Sequence, residues 1–158
     1  MKVTTLNLRR LLISLILPLA VGGLAALLSG DFGSVYAALK LPPLSPPQWI
    51  FPLVWTVLYL LMGAAAYTIS SDRSHSTGDA MQFYYIQLAL NFLWPILFFR
   101  FGLLAVGAFE LALLLAVAVL TVIKFAGIDR TAAYIMKPYI IWLAFALYLN
   151  IGAAVLNR

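Results

Sequence analysis

Residues 47–71 read PQWIFPLVWTVLYLLMGAAAYTISS, twenty-five positions without one charged side chain. The hydrocarbon core of a bilayer is crossed by about 20 apolar residues in a helix. A run of this length and composition predicts a membrane span. Four more blocks share its character: 11–30, 80–99, 101–123 and 138–157, the fourth interrupted only by Glu110. None shows the ten-residue alternation of a membrane β-strand. The predicted fold is an all-α integral membrane protein, a five-transmembrane-helix bundle forming one domain over 1–158.

The whole chain supports this. Of 158 residues, 65% are apolar and 9% are charged, with a mean hydropathy of +1.03. Soluble domains are near half apolar and about a quarter charged. A soluble enzyme, a disordered chain and a fibrous repeat are excluded. The first block follows Lys2, Arg9 and Arg10, as a signal peptide would. It is longer than the usual apolar region of such a peptide, and further spans follow it.

The net charge is +5. The basic residues stand singly between apolar blocks, so they set topology, and nucleic acid is not an expected partner. Lys2, Arg9, Arg10, Arg73, Lys124, Arg130 and Lys137 fall on one side of a five-span bundle. Lys40, Arg100 and Arg158 fall on the other. The positive-inside rule then places the N-terminus in the cytoplasm. A prokaryotic cell membrane is the expected location, since no organelle-targeting presequence is evident. The chain has no cysteine and a single histidine, His75. No metal site is expected.

The connection 31–46 is the one long loop. Pro42, Pro43, Pro46 and Pro47 fix φ and remove backbone donors. They predict a stiff flap leading into the second span, with Pro46-Pro47 near its start. Loop 70–78 is polar. The link at Arg100-Phe101-Gly102 is short, so the third and fourth spans pair antiparallel.

Three spans carry stripes of amphipathic side chains at helical spacing. Trp55, Tyr59 and Met62 form the first. Tyr84, Gln87, Asn91, Trp94 and Phe98 form the second. Tyr139, Trp142, Ala146 and Asn150 form the third. The amides of Gln87 and Asn91 are costly against lipid and call for a partner on a helix or a ligand. Interhelical packing and interfacial belts explain single Trp and Tyr residues, including Trp49 and Trp94 near span ends. Together the stripes also suit a cavity for a flat aromatic ligand. Glu110 lies about nine residues into the fourth span, where a charge is costly and often marks function. Its alternative role is to join two helices. Asp129-Arg130 reads as a loop pair or helix cap. Gly22-Gly23, Gly63 to Ala66 and Ala112 with Ala116 allow close helix contact, the last being a weak dimerisation signal. No nucleophile elbow, phosphate-binding glycine loop or catalytic carboxylate pair is present.

Three separated motifs resemble the TspO/MBR family of tryptophan-rich sensory proteins. They are Pro46-Pro47-x-Trp49-x-Phe51-Pro52-x-x-Trp55-Thr56-x-x-Tyr59-x-x-Met62-Gly63, then Gln87-Leu88-x-Leu90-Asn91-x-x-Trp94 with Phe98-Phe99, then Pro138-Tyr139-x-x-Trp142-x-x-Phe145-Ala146-x-x-Leu149-Asn150. The resemblance runs from the first loop to the C-terminus. It implies a five-helix bundle, often a homodimer, with a pocket capped by the first loop. It also implies protoporphyrin IX or haem as ligand, or a benzodiazepine-type molecule, with no obligatory cofactor.

By that resemblance Tyr36 matches the loop tyrosine, Trp55 and Trp142 the pocket tryptophans, and Asn91 a pocket asparagine. Glu110 stands where eukaryotic relatives carry an aspartate. The candidate ligand-binding set adds Trp49, Tyr59, Gln87 and Trp94 to these. Phe145 and Ala146 complete it. Lys40 is placed to pair with a propionate. Where relatives often have loop tryptophans, this chain has Pro43 and Leu44, giving a stiffer flap with less stacking. The cholesterol pattern is not met, because Tyr148 is too far from Arg158. The expected function is tetrapyrrole binding in porphyrin handling, stress sensing or transport. The alternatives are light-dependent porphyrin degradation with Trp55 and Trp142 as catalytic redox partners, and small-molecule transport. Transport finds no inverted repeat or broken helix in support.

Overall fold

A computed structural model describes residues 7–72 and 74–158. Lys2 and Arg73, both used in the charge count, lie outside the described residues. The elements run α1 Leu8–Leu28, α2 Phe32–Ala38, α3 Ile50–Ser70, α4 Ser76–Pro95, a π-helical turn Ile96–Arg100, α5 Leu104–Ala126, α6 Arg130–Ile135 and α7 Lys137–Leu156. No strand occurs among the described residues. Five stretches are long and apolar enough to cross a membrane: α1, α3, α4 with its π turn, α5, and α6 with α7. A 21-residue helix such as α3 spans about 32 Å at 1.5 Å per residue, matching the hydrocarbon core. The chain is an all-α, five-span membrane protein.

The five spans fall within a few residues of the charge-free blocks, and the differences have local causes. The third span starts earlier, at Ser76, with His75 at its cap and Asp79 in its first turn, where a negative charge favours the helix. Pro95 offers no N–H to the carbonyl of Asn91. The helix widens into the π turn directly after it. Asp129 caps α6 by accepting the N–H of Ala132 at 2.8 Å, so the fourth connection contains a short helix.

The long first connection also contains a short helix that its prolines do not announce: Asp31 accepts the N–H of Ser34 at 3.2 Å and starts α2. The second long helix starts at Ile50, three residues after Pro47, with a tight turn between them. The N–H of Ile50 meets the Pro47 carbonyl at 3.1 Å.

The interior is shared by α3, α4, α5 and α7. Met62, Ala65, Tyr84, Leu111, Leu114, Tyr139 and Leu143 are fully buried there. The outer faces carry Leu27, Phe109, Ile123 and Ile141, apolar side chains that suit lipid. Hydroxyls inside the spans bond their own helix: Thr56 and Thr121 donate to the carbonyls of Pro52 and Val117 at 2.7 and 2.9 Å. These two hydroxyls are thereby satisfied within their own helices, whereas the buried Tyr84 hydroxyl of α4 has no hydrogen-bond partner.

Helix α1 packs on α3 and α4. Gly63 makes this possible: a Cβ there would stand 2.5 Å from the Ser14 carbonyl oxygen. Gly22 plays the same part against the ring of Tyr59, which lies where its Cβ would be.

Candidate functional site

A cavity of about 380 Å³ lies between α1, α3 and α4. Gly22, Gly23 and Ala26 of α1 form one wall. Trp55, Thr56 and Tyr59 of α3 form the second. Asn91, Trp94 and Pro95 of α4 form the third. Phe32 of α2, Phe51 and Phe99 close one end. The indole of Trp55 is central: its ring lies 5.5 Å from Tyr59, 6.4 Å from Trp94 and 6.5 Å from Tyr139. Aromatic pairs at these separations are mutually attractive.

Hydrogen bonds between helices hold these walls. Asn91 donates its amide N–H to the Tyr139 hydroxyl at 2.6 Å and to the Gln87 carbonyl at 3.0 Å. Trp94 donates Nε1–H to Asn150 Oδ1 at 2.9 Å, and Asn150 donates to the Leu104 carbonyl at 3.0 Å. The Asn91 Oδ1 has no hydrogen-bond partner, although the residue is buried and lines the cavity. An unpaired carboxamide oxygen at so buried a position is uncommon in a folded protein.

The flap covers one end. Tyr36 donates its hydroxyl to the Pro46 carbonyl at 2.6 Å, and its ring lies 5.6 Å from Phe32 and 5.2 Å from Phe51. Partial burial pushes the Tyr36 hydroxyl pKa above its ordinary value. Pro42 lies against Gly152 of α7, where a Cβ would be 2.6 Å from the proline ring. Lys40 and Asn157 exchange two bonds: the Lys40 N–H donates at 3.0 Å, and its carbonyl accepts at 2.9 Å. Tyr148 donates to the Pro43 carbonyl at 2.8 Å. Leu44 projects outward at φ 69°, 82% exposed, a backbone region uncommon for residues other than glycine.

The structure sorts the expected residues into groups. Trp55, Tyr59, Asn91 and Trp94 meet at the cavity. Tyr36 and Ala146 share a smaller recess of about 30 Å³ under the flap. Trp142 and Phe145 do not line the cavity. They face an outer groove with Leu53, Val57 and Ile141. Phe51 touches Trp142 at 5.9 Å from inside. Trp49 is 64% exposed at the start of α3. Gln87 is fully buried with both side-chain amide atoms unpaired, and Glu110 is 6% exposed with both carboxylate oxygens unpaired. Neither lines the cavity.

Phe32, Phe51 and Phe99 belong to the cavity and were not singled out by helical spacing. The signal for Phe51 was its place between Trp49 and Pro52. The signal for Phe99 was the Phe98-Phe99 pair that follows the second motif, and Phe32 offered none, since a lone Phe reads equally as a lipid-facing side chain. Among the described residues no group of His, Asp and Glu is placed to hold a metal ion.

The TspO/MBR family profile matches residues 14–156. The chain is 34% identical over 124 residues to the tryptophan-rich protein TspO of Chlorobaculum tepidum, covering 77% of this chain and 78% of that one. It is 36% identical over 122 residues to the tryptophan-rich sensory protein of Cereibacter sphaeroides, covering 77% and 76%. It is 36% identical over 118 residues to the translocator protein of Ovis aries, covering 73% and 70%. With five spans, the aromatic cavity under a proline-rich flap and a profile match over nearly the whole length, the chain belongs to the TspO/MBR family.

Proposed function

We propose that the protein binds a tetrapyrrole such as protoporphyrin IX or haem in the cavity between α1, α3 and α4. The observation that carries this is the combination of the Trp55 face and the unpaired Asn91 Oδ1 on adjoining walls. The indole offers a stacking surface, and the Asn91 carboxamide offers a hydrogen-bonding group to the polar edge of the macrocycle. The cavity is at the small end of ligand pockets, which run from about 300 to 1,000 Å³. A full macrocycle therefore requires α1 and the flap to move outward. Lys40 is exposed on the flap, where its ammonium group is available to a propionate.

Titrating detergent-purified protein with protoporphyrin IX, followed by visible absorbance, tests this. Trp55→Phe is expected to weaken binding by roughly two- to tenfold, the worth of one aromatic pair. Trp142→Phe is expected to leave it unchanged. Equal affinity in wild type and Trp55→Phe would refute the site. We also propose a cytoplasmic N-terminus. A reporter fused after Arg158 should then be active only outside the cytoplasm.

A further inference from the structure

A second cleft, of about 500 Å³, opens at the opposite end of α1 from the flap, between α1, α3 and α4. Asn7, Arg9 and Arg10 stand at one end, and the cleft runs on along the exposed Ile13 and Leu17 to Met81, with Ser14, Tyr84 and Tyr85 also lining it. Asn7 builds the corner. Its side-chain oxygen accepts the N–H of Arg10 at 3.1 Å, and its own N–H donates to the Tyr67 hydroxyl at 3.1 Å. The Arg10 guanidinium donates to the Ser70 carbonyl at 3.3 Å. That bond engages one of its five N–H donors.

The charges are of the wrong sign for the helix that carries them. The start of a helix bears partial positive charge and favours acidic neighbours. The first turn of α1 holds no acid and two arginines, both exposed. Asp72 and Asp79, at the same end of the bundle, do not line the cleft. A bound anion would satisfy the helix end and the guanidinium groups together. The positive-inside rule accounts for basic residues at this end. It does not account for a cleft that leads from them along the apolar side chains of Ile13, Leu17, Ala66 and Met81.

We propose that this cleft is a site for one anionic phospholipid. The phosphate lies between Arg9 and Arg10 at the start of α1, and an acyl chain runs along Ile13, Leu17 and Met81. A lipid is favoured over a soluble anion because the cleft continues from the guanidinium level into apolar wall. The site shares none of its lining with the aromatic cavity, so it stands independently of tetrapyrrole binding.

The test uses the full chain in detergent micelles. Equimolar dioleoyl phosphatidylglycerol and phosphatidylcholine are added, and retained lipid is counted by native mass spectrometry. One phosphatidylglycerol should be retained in preference to phosphatidylcholine. Arg9→Gln with Arg10→Gln should cut that preference by roughly thirtyfold, about fivefold for each basic residue at a membrane surface. Ile13→Trp fills the cleft while keeping both charges and the orientation signal. It should also expel the lipid. Lys124→Gln with Lys137→Gln should change nothing. Equal retention of both lipids by the wild type would overturn the proposal. So would a preference that survives both the arginine and Ile13→Trp variants, or an equal loss in the lysine variant, which would mean diffuse attraction. Displacement by inorganic phosphate at equal concentration would identify a soluble-anion site and overturn the lipid assignment.

Discussion

Trp94 of α4 and Asn150 of α7 are joined by an indole N–H donated to a side-chain oxygen at 2.9 Å, and the Asn150 amide passes the connection to the Leu104 carbonyl of α5. One buried asparagine thus ties three spans. Asn150→Leu removes both bonds and leaves a buried indole N–H unpaired. A loss of about 1–3 kcal/mol is expected, read as a lower melting temperature in detergent. An unchanged melting temperature would show that the bridge contributes nothing.

The approach of α1 to α3 rests on Gly63. In Gly63→Ala the new methyl meets the Ser14 carbonyl and the Leu15 Cα, at 2.5 and 2.8 Å. Both are backbone atoms that cannot swing aside. Overpacking of this kind costs about 1–3 kcal/mol. Gly23→Ala meets nothing within 4 Å and should melt as the wild type does. The contrast between the two variants in one thermal series checks the packing.

The flap is held by the end of α7. Asn157→Ala removes both bonds to Lys40, while Pro42 keeps its seat on Gly152. The Lys40 amide should exchange with deuterium faster by roughly fivefold or more, the equivalent of about 1 kcal/mol of hydrogen bonding. Amides in the middle of α3 should be unaffected. Uniform acceleration would mean global destabilisation instead.

Asp31 makes the start of α2 sensitive to acid. Its carboxylate accepts the Ser34 N–H, which holds its pKa below the ordinary carboxylate value. A lowered folded pKa gives stability that is present above the unfolded pKa and is lost as pH falls through the folded one. Amide exchange at Ser34, corrected for intrinsic rate, should therefore rise only below about pH 4. In Asp31→Asn that acid-dependent rise should be absent.

The spans were readable because lipid leaves a chain little choice. Every backbone group must be satisfied within its own helix, so charge-free runs mark helices directly. α2 was hidden because its capping pair, Asp31 and Ser34, sits in a segment dominated by the prolines that follow. The site was readable only in part. Spacing shows which residues share a helix face and not what that face meets. Trp142 illustrates this. Three residues advance a helix by about 300°, so Trp142 stands some 60° from Tyr139. Ala146 and Asn150 fall within about 20° of Tyr139 on the same count. That rotation is enough to move the Trp142 indole from the bundle interior to an outer groove. Glu110 is the converse case: its depth in the span announced a buried group, and its neighbours depend on packing that spacing does not encode.

The most direct measurement of the proposed binding site is protoporphyrin IX affinity after one bulky substitution on α1. Ala26 lines the cavity, and its neighbour Leu27 is 79% exposed on the lipid side. Ala26→Phe should raise the dissociation constant by roughly tenfold or more, since even a methylene's misfit in an apolar pocket costs that much. Leu27→Phe should bind as the wild type does. Unaltered affinity in a folded Ala26→Phe protein would contradict the site between α1, α3 and α4.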